Sequence, residues 1–313
     1  MTGKRRIAVL AGGWSGERDV SLKSGKAVYD ALNRERYSVT LYDPRDDIEI
    51  LVRKRGEIDL AFILLHGKFG EDGRIQGMLD VLQIPYVGSG VLASAMALNK
   101  RVAKSIFRGA GLRVAKEIFL RRGEAFSPEQ VMHTLGSPVV IKPVSEGSSL
   151  GITIAYNREA IVQGIDKAFK YDGEVMVEAY VGGAEITCCI LGNQVLEALP
   201  VVEIVPTDAY AFFDYEAKYT PGATREICPA PIAAPLAEEA VKVAKAAHKA
   251  LGCRVWSRSD MIIRDETLYL LETNTIPGMT ETSLFPLAAR AAGMSLSDLL
   301  DRMISLSLEE RAS

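Results

Sequence analysis

Along the first hundred residues, short apolar runs alternate with segments of helical period. Arg6–Leu10 is an apolar run closed by Gly12-Gly13, and Leu22–Leu32 places Ala27, Val28, Ala31 and Leu32 on one side of a helix. Val39–Tyr42, Asp59–Leu65 and Ile84–Val87 read as further strands, with a helix at Gly73–Leu82 between the last two. Apolar strands separated by helices predict an open parallel sheet covered on both faces.

A helical pattern then runs from Ala93 to Gly109, after which strands dominate. Pro138–Lys142, Ile152–Ala155, Glu174–Glu178, Glu185–Leu191 and Gln194–Val205 read as strands, with a helix near Glu159–Phe169. The polar and aromatic stretch Pro206–Pro229 is longer than a passive connection needs and reads as a functional loop. A helix at Leu236–Leu251, a hairpin of Val255–Arg264 with Thr267–Asn274, and helices at Leu287–Ala292 and Ser297–Leu306 complete the chain. The second part is thus α+β rather than α/β, and no internal repeat is present.

Composition narrows the function. The chain has 313 residues, room for two or three domains, with 48% hydrophobic and 25% charged residues. Its 37 basic and 40 acidic side chains are mixed, with no basic stripe interleaved with aromatics, so nucleic acid is not an expected partner. The apolar run Ile7–Ala11 is too short for a signal segment or a membrane span, and a cytoplasmic protein without membrane contact is expected. Cys188, Cys189, Cys228 and Cys253 show no CxxC spacing and read as small buried residues of a reducing compartment, the first two on opposite faces of a strand. With His66, His133 and His248 as the chain's histidines, a metal here is a hard cation held by oxygen.

Four constellations carry chemistry. In the last hairpin, Arg258 and Asp260 share one face at spacing two, and so do Glu272 and Asn274. Three of these side chains offer oxygen to a divalent cation; read alone, the patch also fits a solvated face with a routine salt bridge. Lys142-Pro143-Val144-Ser145-Glu146-Gly147-Ser148-Ser149-Leu150-Gly151 ends a strand on a lysine and continues as a small, hydroxyl-rich loop suited to phosphate, or to an ordinary hairpin connection. It is not a Walker loop. Glu178-Ala179-Tyr180-Val181 with Glu185 offers a backbone edge and an acid to a nucleoside, or plain surface acids. Gly12-Gly13-Trp14-Ser15-Gly16-Glu17 and His66-Gly67 follow strands at the edge where open α/β sheets bind ligands, although a helix-start acid and a structural histidine explain Glu17 and His66 equally.

Taken in order, these segments resemble the D-alanine–D-alanine ligase family across essentially the whole chain. The resemblance rests on Ala11–Ser21, Leu65-His66-Gly67 with Gly70-Glu71-Asp72-Gly73, Lys142 with Glu146-Gly147-Ser148-Ser149, Tyr215-Glu216-Ala217-Lys218-Tyr219, Arg258-Ser259-Asp260 and Glu272–Thr280. It implies an ATP-grasp fold: an α/β substrate-binding domain at 1–97, a central subdomain at 98–180, and a C-terminal subdomain at 181–313 carrying the metal site and the closing loop 206–229. It further implies that Lys100, Lys142, Ser148, Ser149 and Lys218 contact the nucleotide, with Glu178, Ala179, Val181 and Glu185 on its adenine and ribose side. Asp260, Glu272 and Asn274 would hold two Mg²⁺, replaceable by Mn²⁺, with Glu272 bridging. Glu17 would take the first D-alanine's ammonium near His66. Arg258, the Gly278 N–H, Ser283 and Leu284 would position the second D-alanine and the oxyanion, and Tyr219 would link to Ser148 and Glu17. A homodimer is what the family implies. Trp14, Gly16 and Ser259 depart from the family's usual residues.

The expected activity is therefore ATP-dependent joining of two D-alanines through a D-alanyl phosphate. Its rivals are a sibling using D-lactate, disfavoured by Tyr219, and a nucleotide-binding regulator without chemistry. The metal reading also fixes a register, because Asp260 must oppose Glu272 or lie two residues from it. A two-residue turn at Asp265-Glu266 in unbroken register pairs Asp260 with Leu271, so a three-residue connection, Asp265 to Thr267, or an equivalent bulge is expected.

Overall fold

Three sheets account for the expected strands. The computed structural model describes residues 3–147, 150–207 and 224–309. In the first sheet, β1 (Arg5–Leu10), β2 (Tyr37–Tyr42), β3 (Leu60–Ile63) and β4 (Tyr86–Val87) run parallel in the order β2-β1-β3-β4. All four residues of β3 are buried, as a parallel strand covered on both faces requires. Helix α1 (Arg18–Ala31) begins four residues before the expected start. Helix α2 (Pro44–Arg53) is an addition to the expected elements, set by its N-terminus rather than its apolar face: Asp43 accepts the Arg45 N–H and Pro44 occupies the first turn. Helices α3 (Arg74–Val81) and α4 (Val91–Leu98) complete this layer.

The single helix expected over Ala93–Gly109 is two. Asn99 leaves helical geometry at φ −80° and ψ 101°, and its side chain accepts the Val102 N–H at 3.1 Å, capping α5 (Lys100–Gly109). Lys100 consequently heads a new helix.

The second sheet, antiparallel, has the order β5-β8-β6-β7, with β5 (Glu117–Arg121), β6 (Val139–Pro143), β7 (Thr153–Ala155) and β8 (Glu174–Ala179). Helices α6 (Pro128–Leu135) and α7 (Arg158–Ala168) pack on it. Its core, which includes Val139, Ile141, Ile161, Ile165, Val175 and Val177, is separate from the others. Strand β5 and helix α6 were not foreseen.

The third sheet has six strands: β9 (Ala184–Gly192), β10 (Leu196–Ala198), β11 (Val202–Pro206), β12 (Thr224–Ile227), β13 (Val255–Arg264) and β14 (Thr267–Asn274). The order is β12-β11-β9-β13-β14, with β10 paired to β9. The strand expected over Gln194–Val205 is broken at Leu199–Val201, where Pro200 has no N–H for a ladder. Cys188 and Cys189 do face opposite ways, one into the core shared with α8 (Ala234–Ala250), the other into the core of the first sheet. That first core also takes in α9 (Leu284–Ala291) and α10 (Leu296–Glu309). Trp256 knits it together, its ring centroid 6.5 Å from Phe62 of β3 and 5.3 Å from Phe285 of α9.

The final hairpin resolves the register question. Asp265 and Glu266 have φ of 49° and 57°, the signature of a two-residue type I′ turn, so the three-residue connection is not formed. Arg264 pairs with Thr267 and Met261 with Leu270; the register then shifts, and Asp260 pairs with Glu272 and Arg258 with Asn274. Leu271 is the extra residue of a bulge, the alternative the metal reading allowed.

Helix α1 lies so close to β1 that a Cβ on Gly25 would sit 2.3 Å from the Ala11 Cβ. Gly25→Ala gains about 1 kcal/mol of helix propensity but meets overpacking worth about 1–3 kcal/mol. Net destabilisation is therefore expected in urea denaturation. Adding Ala11→Gly, which removes the blocking atom, should recover stability beyond the sum of the single changes; strict additivity would refute this contact as the cause.

Candidate active site

The second and third sheets face each other across a cleft. Lys142, Glu178 and Val181 line one wall, Glu185, Asp260 and Glu272 the other, and Lys100 and Glu146 one end. Its empty volume is about 910 Å³ with open solvent included. A smaller cavity continues from it, lined by Glu71, Lys100, Gly147, Glu272 and Asn274.

On the first wall a buried carboxylate is clamped between two ammonium groups. Glu178 pairs through Oε1 with Lys142 and through Oε2 with Lys104, the latter at 2.5 Å. Burial would raise the Glu178 pKa, but the charges of Lys104 and Lys142 overcome it and bring it down to about 2. Lys142 is held charged the same way: burial opposes its charge, and Glu178 more than restores it. Lys104 is 1% exposed and also donates to the Ala115 carbonyl at 3.3 Å. Ala179 ends β8, and Val181 follows it into the cleft.

The hairpin face forms the second wall. Arg258 grips both oxygens of Asp260, Nε to Oδ1 at 2.8 Å and Nη2 to Oδ2 at 2.7 Å. Thr187 donates to Oδ1 at 2.6 Å, and the Asn274 amide to Oδ2 at 3.1 Å. Burial works against the Arg258 charge, yet Asp260 raises its pKa far above normal. Ser259 is fully buried, and its hydroxyl is satisfied across the hairpin by Thr273 at 2.9 Å.

The first sheet contributes loops at its carboxyl edge. Glu17 occupies the N-cap position of α1 without making a capping bond, and its carboxylate lies beside the loops at Gly67 and Gly147. A Cβ on either Gly67 or Gly147 would lie 2.6 Å from Glu17 Oε2. Glu71 is buried beside it and accepts the Gly67 N–H at 2.9 Å. Burial, reinforced by the charge of Glu17, pushes Glu71 up to about 8. His66 is held from both sides, Nδ1 at 3.1 Å from the Ile276 carbonyl and Nε2 at 3.3 Å from Ser24 Oγ. A carbonyl only accepts, so Nδ1 carries the proton and Nε2 accepts from the serine. Burial lowers the His66 pKa to about 4, leaving the ring neutral. Beyond Ile276, a Cβ on Gly278 would meet Ser283 Oγ at 2.9 Å; that oxygen accepts the Thr280 N–H, and Leu284 begins α9.

Of the residues singled out in the sequence, the cleft and its extension bring together Lys100, Lys142, Glu178, Ala179, Val181, Glu185, Asp260, Glu272 and Asn274. Glu17 adjoins that extension through Gly147. His66, Gly278, Ser283 and Leu284 are gathered on the segment joining β14 to α9 and the loop it touches. Ser148, Ser149, Lys218 and Tyr219 lie outside the described residues. Three contributors had been given no role. Lys104 follows Lys100 by one helical turn, Thr187 follows Glu185 at strand spacing, and Glu71 stood in a quoted motif.

A two-sheet cleft with clamped lysines on one wall and carboxylates on the other, preceded by a parallel-sheet domain, is the ATP-grasp arrangement of carboxylate–amine ligases. Residues 6–51 and 44–89 match the family described as D-ala D-ala ligase N-terminus, and residues 106–305 match D-ala D-ala ligase C-terminus. The chain is 51% identical over 309 residues to a D-alanine--D-alanine ligase of Syntrophobacter fumaroxidans, covering 99% of each. It is 52% identical over 307 residues to one from Desulfotalea psychrophila, covering 97% of this chain and 95% of that one. A crystal structure of the Bacillus anthracis D-alanine--D-alanine ligase complexed with ATP superposes with a TM-score of 0.84 at 35% identity, covering 98% of both chains. The VanG D-Ala:D-Ser ligase of Enterococcus faecalis does so at 0.83 and 32%, covering 97% of this chain and 100% of that one. This chain belongs to the D-alanine–D-alanine ligase family.

Glu71 has a testable signature. Its folded pKa stands above the ordinary value of 4.5, so its contribution to stability is complete below pH 4.5 and is lost as pH rises towards about 8. Glu71→Gln, lacking that proton, is expected to gain on the wild type progressively across this window. Denaturation midpoints measured from acid to neutral pH decide it; parallel curves for the two proteins would show that Glu71 titrates normally.

Proposed function

We propose that this chain joins two D-alanine molecules into D-alanyl-D-alanine with conversion of ATP to ADP and phosphate, supplying peptidoglycan precursor synthesis. One observation carries the site assignment: Asp260, Glu272 and Asn274 share one hairpin face opposite Lys100 and Lys142 across the cleft. Near-full-length identity to D-alanine--D-alanine ligases carries the reaction.

ATP would bind in the cleft with its phosphates held by Lys100 and Lys142, and the roles of Ser148, Ser149 and Lys218 as further phosphate contacts are carried over from the family. Glu178, Ala179 and Val181 take the adenine and Glu185 the ribose. Among the described residues, no three His, Cys, Asp or Glu side chains form a metal cage by themselves. Two carboxylates and an amide on one face instead suit Mg²⁺, which characteristically combines one or two carboxylates with substrate phosphates and water. Asp260, Glu272 and Asn274 would hold two such ions, or Mn²⁺, supplying charge neutralisation for phosphoryl transfer.

Joining a carboxylate to an amine in water is uphill, so the first D-alanine is activated as an acyl phosphate. Glu17 receives its ammonium, and His66, bonded on both ring nitrogens, fixes the loop beside it. The second D-alanine is placed by Ser283 and Leu284. Arg258 and the Gly278 N–H stabilise the tetrahedral oxyanion, each well-placed donor worth ~3 kcal/mol. By family resemblance, Tyr219 would link to Ser148 and Glu17 and close the site. The working units are 1–97, 98–180 and 181–313, in a cytoplasmic homodimer. No helix among the described residues is long and apolar enough to cross a membrane.

Phosphate release that depends on added D-alanine, with dipeptide appearing in parallel, tests the reaction. Glu272→Gln tests the site within it. Losing that charge is expected to leave the fold intact and reduce turnover below about a tenth of wild type, over ~1.4 kcal/mol of barrier. A variant retaining more activity than this shows that the cations are held elsewhere.

A further inference from the structure

The segment from His66 to Asp72 is wound tightly before it reaches the cleft. Gly67 and Phe69 have φ of 67° and 69°, and Phe69, not being glycine, holds that conformation at a cost. Its N–H donates to Asp72 Oδ2 at 2.8 Å, its ring centroid lies 5.5 Å from that of Trp14, and the Arg74 guanidinium sits 4.8 Å from it. What this braced turn presents is Lys68. The ammonium pairs with the Glu146 carboxylate and donates to the Tyr171 carbonyl at 3.0 Å. Lys68 belongs to the unit of the first sheet, and both of its partners to the unit of the second.

The pair stands where the two units touch. Next to Glu146 is Gly147, whose added Cβ would lie 2.6 Å from Glu17 Oε2 and 3.6 Å from Glu71 Oε2. Three acids therefore converge on this seam. Lys100 donates to the Glu146 carbonyl at 2.6 Å, while Lys68 takes its carboxylate. One of Lys68's two bonds to the second unit thus tethers Glu146, whose neighbour Gly147 lies against Glu17 and Glu71.

We propose that Lys68 is a positioning residue that latches the Glu146–Gly147 segment onto the amino-acid loop and so keeps water from the activated carboxylate. This rests on the ligation reading above. In the productive cycle the second D-alanine's amine attacks the acyl carbon; the C–N bond forms, the C–O bond to phosphate breaks, and the amine's proton is lost. With the seam loosened, water attacks the same carbon, phosphate leaves, and D-alanine is regenerated without dipeptide. The latch therefore acts on the ratio of phosphate to dipeptide, which a merely structural residue does not move.

Phosphate and dipeptide are to be measured together on the full chain with ATP, Mg²⁺ and D-alanine. Wild type is expected to give a ratio of roughly one to one, as the reaction dictates. Lys68→Met and Glu146→Gln should each raise the phosphate released in excess of dipeptide about fivefold, the scale of a partly screened ion pair, and Lys68→Arg should hold that excess near wild type. An unchanged ratio in Lys68→Met, at any rate, overturns the latch, as does a rise that Glu146→Gln does not share. A wild type releasing no phosphate on addition of D-alanine sinks the ligation reading instead, a result distinct from a coupled wild type with an equally coupled variant.

Discussion

The β13–β14 ladder meets two demands that conflict. A tight hairpin favours a two-residue turn whose twist matches the strands, and Asp265-Glu266 provides it. Counted without interruption from that turn, however, Glu272 would point away from Asp260, because side chains alternate faces at every residue. Leu271 resolves the conflict by dropping out of the pairing, after which Asp260 meets Glu272 and Arg258 meets Asn274. The approach of Asn274 to Asp260 depends on this one extra residue, whereas Arg258 shares a strand and a face with Asp260 and grips it in either register. Leu271 itself lines the cleft, so the irregularity that sets the parity also forms part of its wall.

The cleft lies where hydrophobic continuity stops. Trp256 fuses the first sheet and one face of the third into a single core, with α9 and α10 crossing back to join it. The second sheet keeps a core of its own. Across the gap, contacts named above are polar or charged, including Lys100 to the Glu146 carbonyl and Lys68 to its carboxylate. Such contacts break and re-form at smaller cost than a packed core. The Lys104–Glu178–Lys142 clamp crosses the same boundary, because α5 buries Ala103 and Phe107 in the core of the third sheet while Glu178 and Lys142 belong to the second. A buried carboxylate with two ammonium partners is stable only while all three stay in place.

Legibility in the sequence followed the range of the signal. Apolar runs such as Asp59–Leu65 and the alternation in Val255–Arg264 are written in a few adjacent residues, and both appear as strands. Strand β12, the polar Thr-Arg-Glu-Ile of 224–227, becomes a strand only through its ladder to β11. Helices α2 and α6 carry caps, Asp43 and Ser127 each followed by proline, but too few apolar positions for their period to stand out. Lys104 reads as one more basic residue on a helix until its partner Glu178, 74 positions away, is brought beside it. The roles of the site residues came from resemblance to a family, whereas the geometry that joins them, the Leu271 bulge above all, was legible only as a requirement.

The acids of this seam would favour positive charge at the site. Glu17 and Glu71 share a buried corner, with Glu272 near enough to add to the pressure on Glu71 and Arg258 the countervailing charge. Like charges in such a place raise the free energy of the protein by itself, and Glu71 relieves it by keeping its proton. An ammonium group entering beside Glu17, or cations beside Glu272, would lower the same repulsion. Where Glu71 is ionised, part of the affinity for such ligands would come from relief of that repulsion and not only from new contacts. The same linkage works in reverse: whatever binds the folded chain at this corner stabilises it, and does so most where the protonated Glu71 would otherwise have to give up its proton.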